Sequence, residues 1–116
     1  MTVKECYDAI QGNYQEVEAR LRTEERIRKF LCKVPEDKSY ALLCNSLEQK
    51  NMDEAFRAAH TIKGVCQNLA LTKLGKSAEA LTDCLRDKRE YTTEVEELFS
   101  QVQKDYADTV EYIRRL

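Results

Sequence analysis

The chain has 116 residues, 34% of them charged with a formal net charge of -2, and only three glycines, one proline and no tryptophan. This composition favours helices, and the length suits one domain with a core that needs neither metal nor disulfide support. Charge of mixed sign excludes the concentrated basic face of a nucleic-acid binder. No apolar run approaches the roughly 20 residues of a membrane span, and no signal peptide is read before Thr2. Both observations lead us to expect a cytoplasmic chain without a membrane partner. Cys6, Cys32, Cys44, Cys66 and Cys84 are odd in number, widely separated and free of any C-x-x-C pair. They read as reduced, with Cys66 and Cys84 as packing residues on apolar helix faces.

In chain order, Thr2 and Glu5 make a capping-box pattern that predicts a short helix through Ile10, with Gly12 as its stop. Asn13, at box spacing to Glu16, restarts the helix on a stripe of Tyr14, Val17 and Leu21. Thr23, followed by Glu24 and Glu25, caps the next segment, where Ile27, Phe30, Leu31 and Val34 recur at helical spacing until Pro35 ends it. From Ser39 to Gln49, Tyr40, Leu43 and Leu47 repeat the pattern. Lys50 and Asn51 form a tight polar link, and Asp53 is the expected cap of a central helix that Asn68 to Leu71 interrupts. Thr72 is expected to cap a second long helix reaching about Asp87, whose Leu71, Leu74, Ala78, Leu81 and Leu85 make a heptad-like seam. After the charged link from Asp87 to Glu90, Thr93 and Glu96 open a last helix with Val95, Leu98, Val102, Tyr106, Val110 and Ile113 buried. The predicted fold is all-α: an antiparallel up-down four-helix bundle over about 37–116, with additional short N-terminal helices over about 2–34 covering one end of the same domain.

The central helix carries the only histidine. At about 100° per residue, Met52, Ala55, Ala58, Ala59, Ile62, Val65, Cys66 and Leu69 gather on one arc that must face a core. His60 falls at the edge of that arc with Phe56, Lys63 and Gln67 close to it in angle, and Gly64 lies one turn on, nearly opposite the core side. Glycine inside a helix costs about 1 kcal/mol relative to alanine, so an outward-facing one points to clearance for a molecule approaching the imidazole. Lys63 places a positive charge where an anion bound to the ring would sit. The pattern describes an exposed nucleophile prepared for something negative.

Ala59-His60-Thr61-Ile62-Lys63-Gly64, followed by Leu69, resembles the signature of histidine-containing phosphotransfer (HPt) domains, and the helical pattern fits over nearly the whole chain. One departure is Ala70, where many members have a second glycine; its expected effect is confined to the turn. The resemblance implies that His60 exchanges a phosphoryl group with an aspartate on a response-regulator receiver domain, in a multistep phosphorelay that can include a hybrid histidine kinase. A neutral imidazole nitrogen suits this work as a good nucleophile near pH 7 and a fair leaving group once phosphorylated. Nε2 projects farthest from the helix and is the expected attacking atom. In the family a glutamine or glutamate on the facing helix often holds Nδ1; the matching position here is Thr82, which is short, so Glu79 or a bound water is the expected substitute. Gly75, Glu79, Thr82 and Arg86 share one flank of the facing helix. Lys63 would offset phosphoryl charge, Arg86 could assist from across the hairpin, and Gln67 could donate to a phosphoryl oxygen or to the partner. Docking is expected to bury an apolar patch beside His60, drawn from Phe56, Val3, Tyr7 and Ile10.

The chain shows no Gly-rich nucleotide loop, acidic pocket or metal-ligand cluster of the kind an autonomous kinase or phosphatase needs, so it reads as a carrier. No cofactor is expected on it; Mg²⁺ and the phospho-accepting aspartate would belong to the receiver, and the carrier is expected to be monomeric. The main competing reading is a non-phosphorylated helical adaptor that binds receiver domains or other signalling proteins, against which His60, Lys63 and Gly64 stand together. A haem or metal module is disfavoured, because one histidine lacks a second histidine or a carboxylate cluster.

Overall fold

The computed structural model describes residues 1–116 as seven α-helices and one 3-10 turn. Three short helices come first: α1 (Val3–Ala9), α2 (Tyr14–Leu21) and α3 (Glu24–Leu31). The turn Val34–Glu36, which contains Pro35, leads into α4 (Ser39–Glu48), followed by α5 (Met52–Leu69), α6 (Thr72–Leu85) and α7 (Thr93–Ile113). α5 packs between α4 and α6, and α6 packs against α7. Short links make neighbours antiparallel, and the stacked rings of Tyr40 and Tyr106, 3.7 Å apart, tie α4 to α7. The result is the expected all-helical bundle, with α1 to α3 at the end where α5 and α7 finish.

The core follows from the apolar stripes. Met52, Ala55, Ala58, Ala59, Ile62, Cys66 and Leu69 of α5 are buried, and only Val65 of the expected arc is half-exposed. Leu71, Leu74, Ala78, Leu81 and Leu85 are all buried, each leucine contributing about 1.5–3 kcal/mol. On α7, Val95, Val102, Val110 and Ile113 are buried, while Leu98 and Tyr106 pack partly against the core. The same face takes in Asp105, only 3% exposed, which the apolar pattern did not reveal. Its carboxylate accepts from Gln101 Nε2 at 3.0 Å and faces Lys73 Nζ of α6 at 3.8 Å, so its charge is compensated inside the bundle.

Helix starts are set by side-chain oxygens. Thr2 and Glu5 close both halves of their capping box, and Asn13 and Thr23 accept from the N–H groups of Glu16 and Arg26. Three other caps differ from expectation. Asn51, not Asp53, caps α5, its side chain accepting from Glu54 N at 3.2 Å. Asp53 lies in the first turn, where its charge suits the N-terminal end of the helix dipole. Leu71 occupies the cap position of α6 without a side-chain bond, and the Thr72 hydroxyl reaches the Ala70 carbonyl at 3.5 Å instead. Thr92 rather than Thr93 caps α7, accepting from Val95 N at 3.3 Å. A capping side chain works from a non-helical residue, and Asp53, Thr72 and Thr93 are already inside their helices.

The N-terminal helices are fastened to the end of α5. Arg20 Nη1 donates to the carbonyls of Gln67 at 2.8 Å and Asn68 at 2.6 Å. The Tyr7 hydroxyl donates to Leu69 O at 2.6 Å, and Asn13 N–H donates to Ala70 O at 2.9 Å. α1 is ended by Gln11, whose φ is 56°, and not by Gly12, which has no positive φ. Gly12 serves close approach: a Cβ there would stand 2.7 Å from Tyr7 Cδ2 and 2.9 Å from Ala70 O. Gly12→Ala is therefore expected to lower folding stability by about 1–3 kcal/mol through overpacking. Urea unfolding measures it, and a variant as stable as wild type would show that the N-terminal helices do not seat this closely.

Candidate functional site

His60 stands exposed on α5 between two buried neighbours in its turn, Ala59 and Ile62. Its ring lies parallel to that of Phe56 one turn earlier, with centroids 6.1 Å apart and planes 15° from parallel. Lys63 is half-buried and Gln67 is exposed on the same side. At Gly64 an added Cβ would meet nothing within 4 Å, which places this glycine on open surface as its helical angle predicts. His60, Lys63, Gly64 and Gln67 thus form one accessible strip of α5. Cys66, on the opposite side, is buried, and that burial pushes its thiol up to about 12, so it remains protonated packing material.

The facing helix is placed by two contacts. Gly75 lies against Cys66, where an added Cβ would be 3.2 Å from the cysteine Cβ, and the Arg86 guanidinium lies 5.2 Å from the Phe56 ring centroid. This register sets residues 81 and 82 of α6 level with His60. Thr82 is fully buried, and its hydroxyl donates to the Ala78 carbonyl at 2.7 Å. That is the hydroxyl's only hydrogen bond, and none joins Thr82 to the imidazole. Glu79 is exposed and shares a groove of roughly 400 Å³ with Gln67, Glu16, Arg20 and Lys76. By the same register Glu79 lies level with Ile62 and Lys63, within one turn of His60, and no hydrogen bond joins it to the imidazole. Arg86 is exposed, 3.6 Å from Asp83, and reaches the site through the face of Phe56.

The expected docking patch requires correction. Val3, Tyr7 and Ile10 are buried in the core, where they join the N-terminal helices to the bundle and are closed to a partner. Their spacing gave an apolar face but not what covers it. The apolar surface open on this side is a groove of about 320 Å³ that includes Leu21, Phe30, Val34 and Val65, with Arg20 and Lys33 among its polar residues. Phe30 is 37% exposed, and the Lys33 ammonium lies 5.3 Å from its ring centroid. Asn68, one turn beyond Gly64, also lines this groove, so it continues the line of His60 and Gly64. The aromatic contact at His60 was readable as an i, i+4 pair; the groove was not, because it needs the packing of three helices.

A family model, the Hpt domain, matches residues 25–114. Comparisons with curated proteins and with solved structures found no match. Hpt domains are helical bundles that carry phosphoryl groups in phosphorelays and interact with receiver domains and histidine kinases. The matched span takes in α4 to α7, nearly all of α3 and the His60 strip, and leaves α1 and α2 outside. No helix is long and apolar enough to cross a membrane. With four-fifths of the chain matched and an all-helical bundle beneath it, the chain belongs to the Hpt domain family.

Proposed function

We propose that His60 exchanges a phosphoryl group with receiver-domain aspartates, making the chain a phosphocarrier of a multistep phosphorelay. The observation that supports this best is the open space at Gly64, one turn from the exposed ring of the only histidine. A lone pair on Nε2 attacks the phosphorus of the aspartyl phosphate, an N–P bond forms, and the P–O bond breaks with its electrons leaving on the carboxylate. Nδ1 keeps its proton, so the ring becomes a phosphoimidazolium. The reverse step returns the group to an aspartate. Lys63 offsets the charge of the phosphoryl oxygens, while Mg²⁺ and the aspartate come with the receiver. The chain itself acts as a carrier without kinase activity, as a cytoplasmic monomer. Residues 1–116 work as one unit, because α1 and α2, although outside the matched span, bind the end of the helix that bears His60.

Mixing the protein with phosphorylated receiver domains and looking for acid-labile, alkali-stable label tests this reading. His60→Gln should abolish the label and leave helical content and melting temperature unchanged; undiminished label would sink the proposal. An adaptor that had lost phosphotransfer would bind receivers and remain unlabelled even as wild type. Lys63→Ala should slow transfer about tenfold, less than loss of a rigid oxyanion donor, because the ammonium is partly solvated. Transfer at the wild-type rate would remove Lys63 from the site.

Gly64→Leu separates clearance from packing. Helix propensity should raise folding stability by about 0.5–1 kcal/mol, since a Cβ at this position meets no neighbour within 4 Å. Transfer should fall steeply, because the leucine occupies the approach needed for in-line attack. Thermal unfolding and transfer rates on one preparation check both, and a destabilised protein would contradict the open placement.

A further inference from the structure

The ring of His60 must be held at a useful angle by something. An exposed histidine on a helix turns about both χ1 and χ2, and in-line transfer succeeds only when the attacking nitrogen points at phosphorus. Thr82, level with His60 on α6, is buried and makes no hydrogen bond to the imidazole, so it does not supply that constraint. What the structure places against the imidazole is the Phe56 ring, 6.1 Å away between centroids and within 15° of parallel. Phe56 is itself restrained. It packs partly against the core, and the Arg86 guanidinium of α6 lies over its ring at 5.2 Å, with the Asp83 carboxylate 3.6 Å from Arg86.

We propose that Phe56 is the positioning residue of His60, fixing the plane of the imidazole by ring stacking in place of a hydrogen-bonding side chain from the facing helix. The inference rests on the phosphocarrier reading and deepens it. Arg86 acts through Phe56, holding the phenyl ring in one orientation by its charge over the ring face.

His60 is the only histidine, so its ring signals in a proton–carbon NMR spectrum are unmixed. In Phe56→Leu, which keeps an apolar side chain, these signals should lose their ring-current displacement and move towards those of a histidine in an unfolded peptide. Transfer from a saturating phosphorylated receiver should fall about five- to twentyfold, with the half-saturating receiver concentration unchanged. Labelling by phosphoramidate, a small donor that can approach the ring from many directions, should stay within about twofold of wild type for the same reason. Phe56→Tyr should restore both the spectrum and the rate. Unmoved ring signals in Phe56→Leu, or a full transfer rate at saturation, would overturn the positioning role; a loss confined to the half-saturating concentration would make Phe56 a docking residue only. A wild-type protein that takes label from neither donor would overturn the phosphocarrier reading itself, a result distinct from any change between variants.

Discussion

The exposed face of α5 depends on how the carbonyls at its C-terminal end are satisfied. A helix leaves its last carbonyls without partners in its own ladder, and Gln67, Asn68, Leu69 and Ala70 present theirs to Arg20, Tyr7 and Asn13 of the N-terminal segment. Leaving the buried Leu69 carbonyl unpaired would cost about 1–3 kcal/mol, and the exposed bonds from Arg20 to Gln67 and Asn68 add a smaller, solvent-screened contribution. Against this, Ala70 sits in the left-handed region at φ 54° and ψ 39°, where a non-glycine residue costs about 1–2 kcal/mol. The several bonds outweigh the strain. The turn after α5 thus holds a left-handed residue with alanine at position 70.

The second constraint is the closeness of the α5–α6 hairpin. Gly75 of α6 lies directly against Cys66 of α5, and the buried faces of both helices carry small residues, among them Ala55, Ala58, Ala59 and Ala78. Large side chains at these places would push the axes apart. Close axes bring an exposed residue of α6, Arg86, over a half-buried residue of α5, Phe56, and so connect the far helix with the strip that carries His60. The two rows of side chains meet at the edge of the seam, which is why a residue can be anchored on one side and accessible on the other.

Much of this was legible in the sequence because periodicity reports burial. The stripes of α5, α6 and α7, the hairpin between Leu69 and Thr72, and the outward angle of Gly64 all follow from residue spacing. Three kinds of feature were not legible. Capping competition between adjacent polar residues, as between Asn51 and Asp53, is decided by which one lies outside the helix. An amphipathic face shows that something covers it but not what, and so Val3, Tyr7 and Ile10 read as a docking patch when they are core. A polar side chain on a flank can turn inward and bond its own helix, as Thr82 and Thr109 do to Ala78 and Asp105.

Gly64 shows how the site and the stability of its helix are kept apart. An interior glycine weakens a helix by about 1 kcal/mol, and no neighbour stands close enough to select it for packing. The loss falls in the middle of an 18-residue helix whose ends are both secured. Asn51 caps the start, a contribution of about 1 kcal/mol. Asp53 and Glu54 add favourable charge in the first turn, and Arg20 does the same at the last carbonyls, each by about 0.3–1 kcal/mol. The buried face adds Met52, Ile62 and Leu69 to the core. These terms are larger than the glycine penalty and lie at the ends and on the far side, so the centre of the outer face can be left bare. An exposed imidazole on α5 then needs no covering residue to keep its helix folded, and its aromatic neighbour can stand one turn away on the same helix.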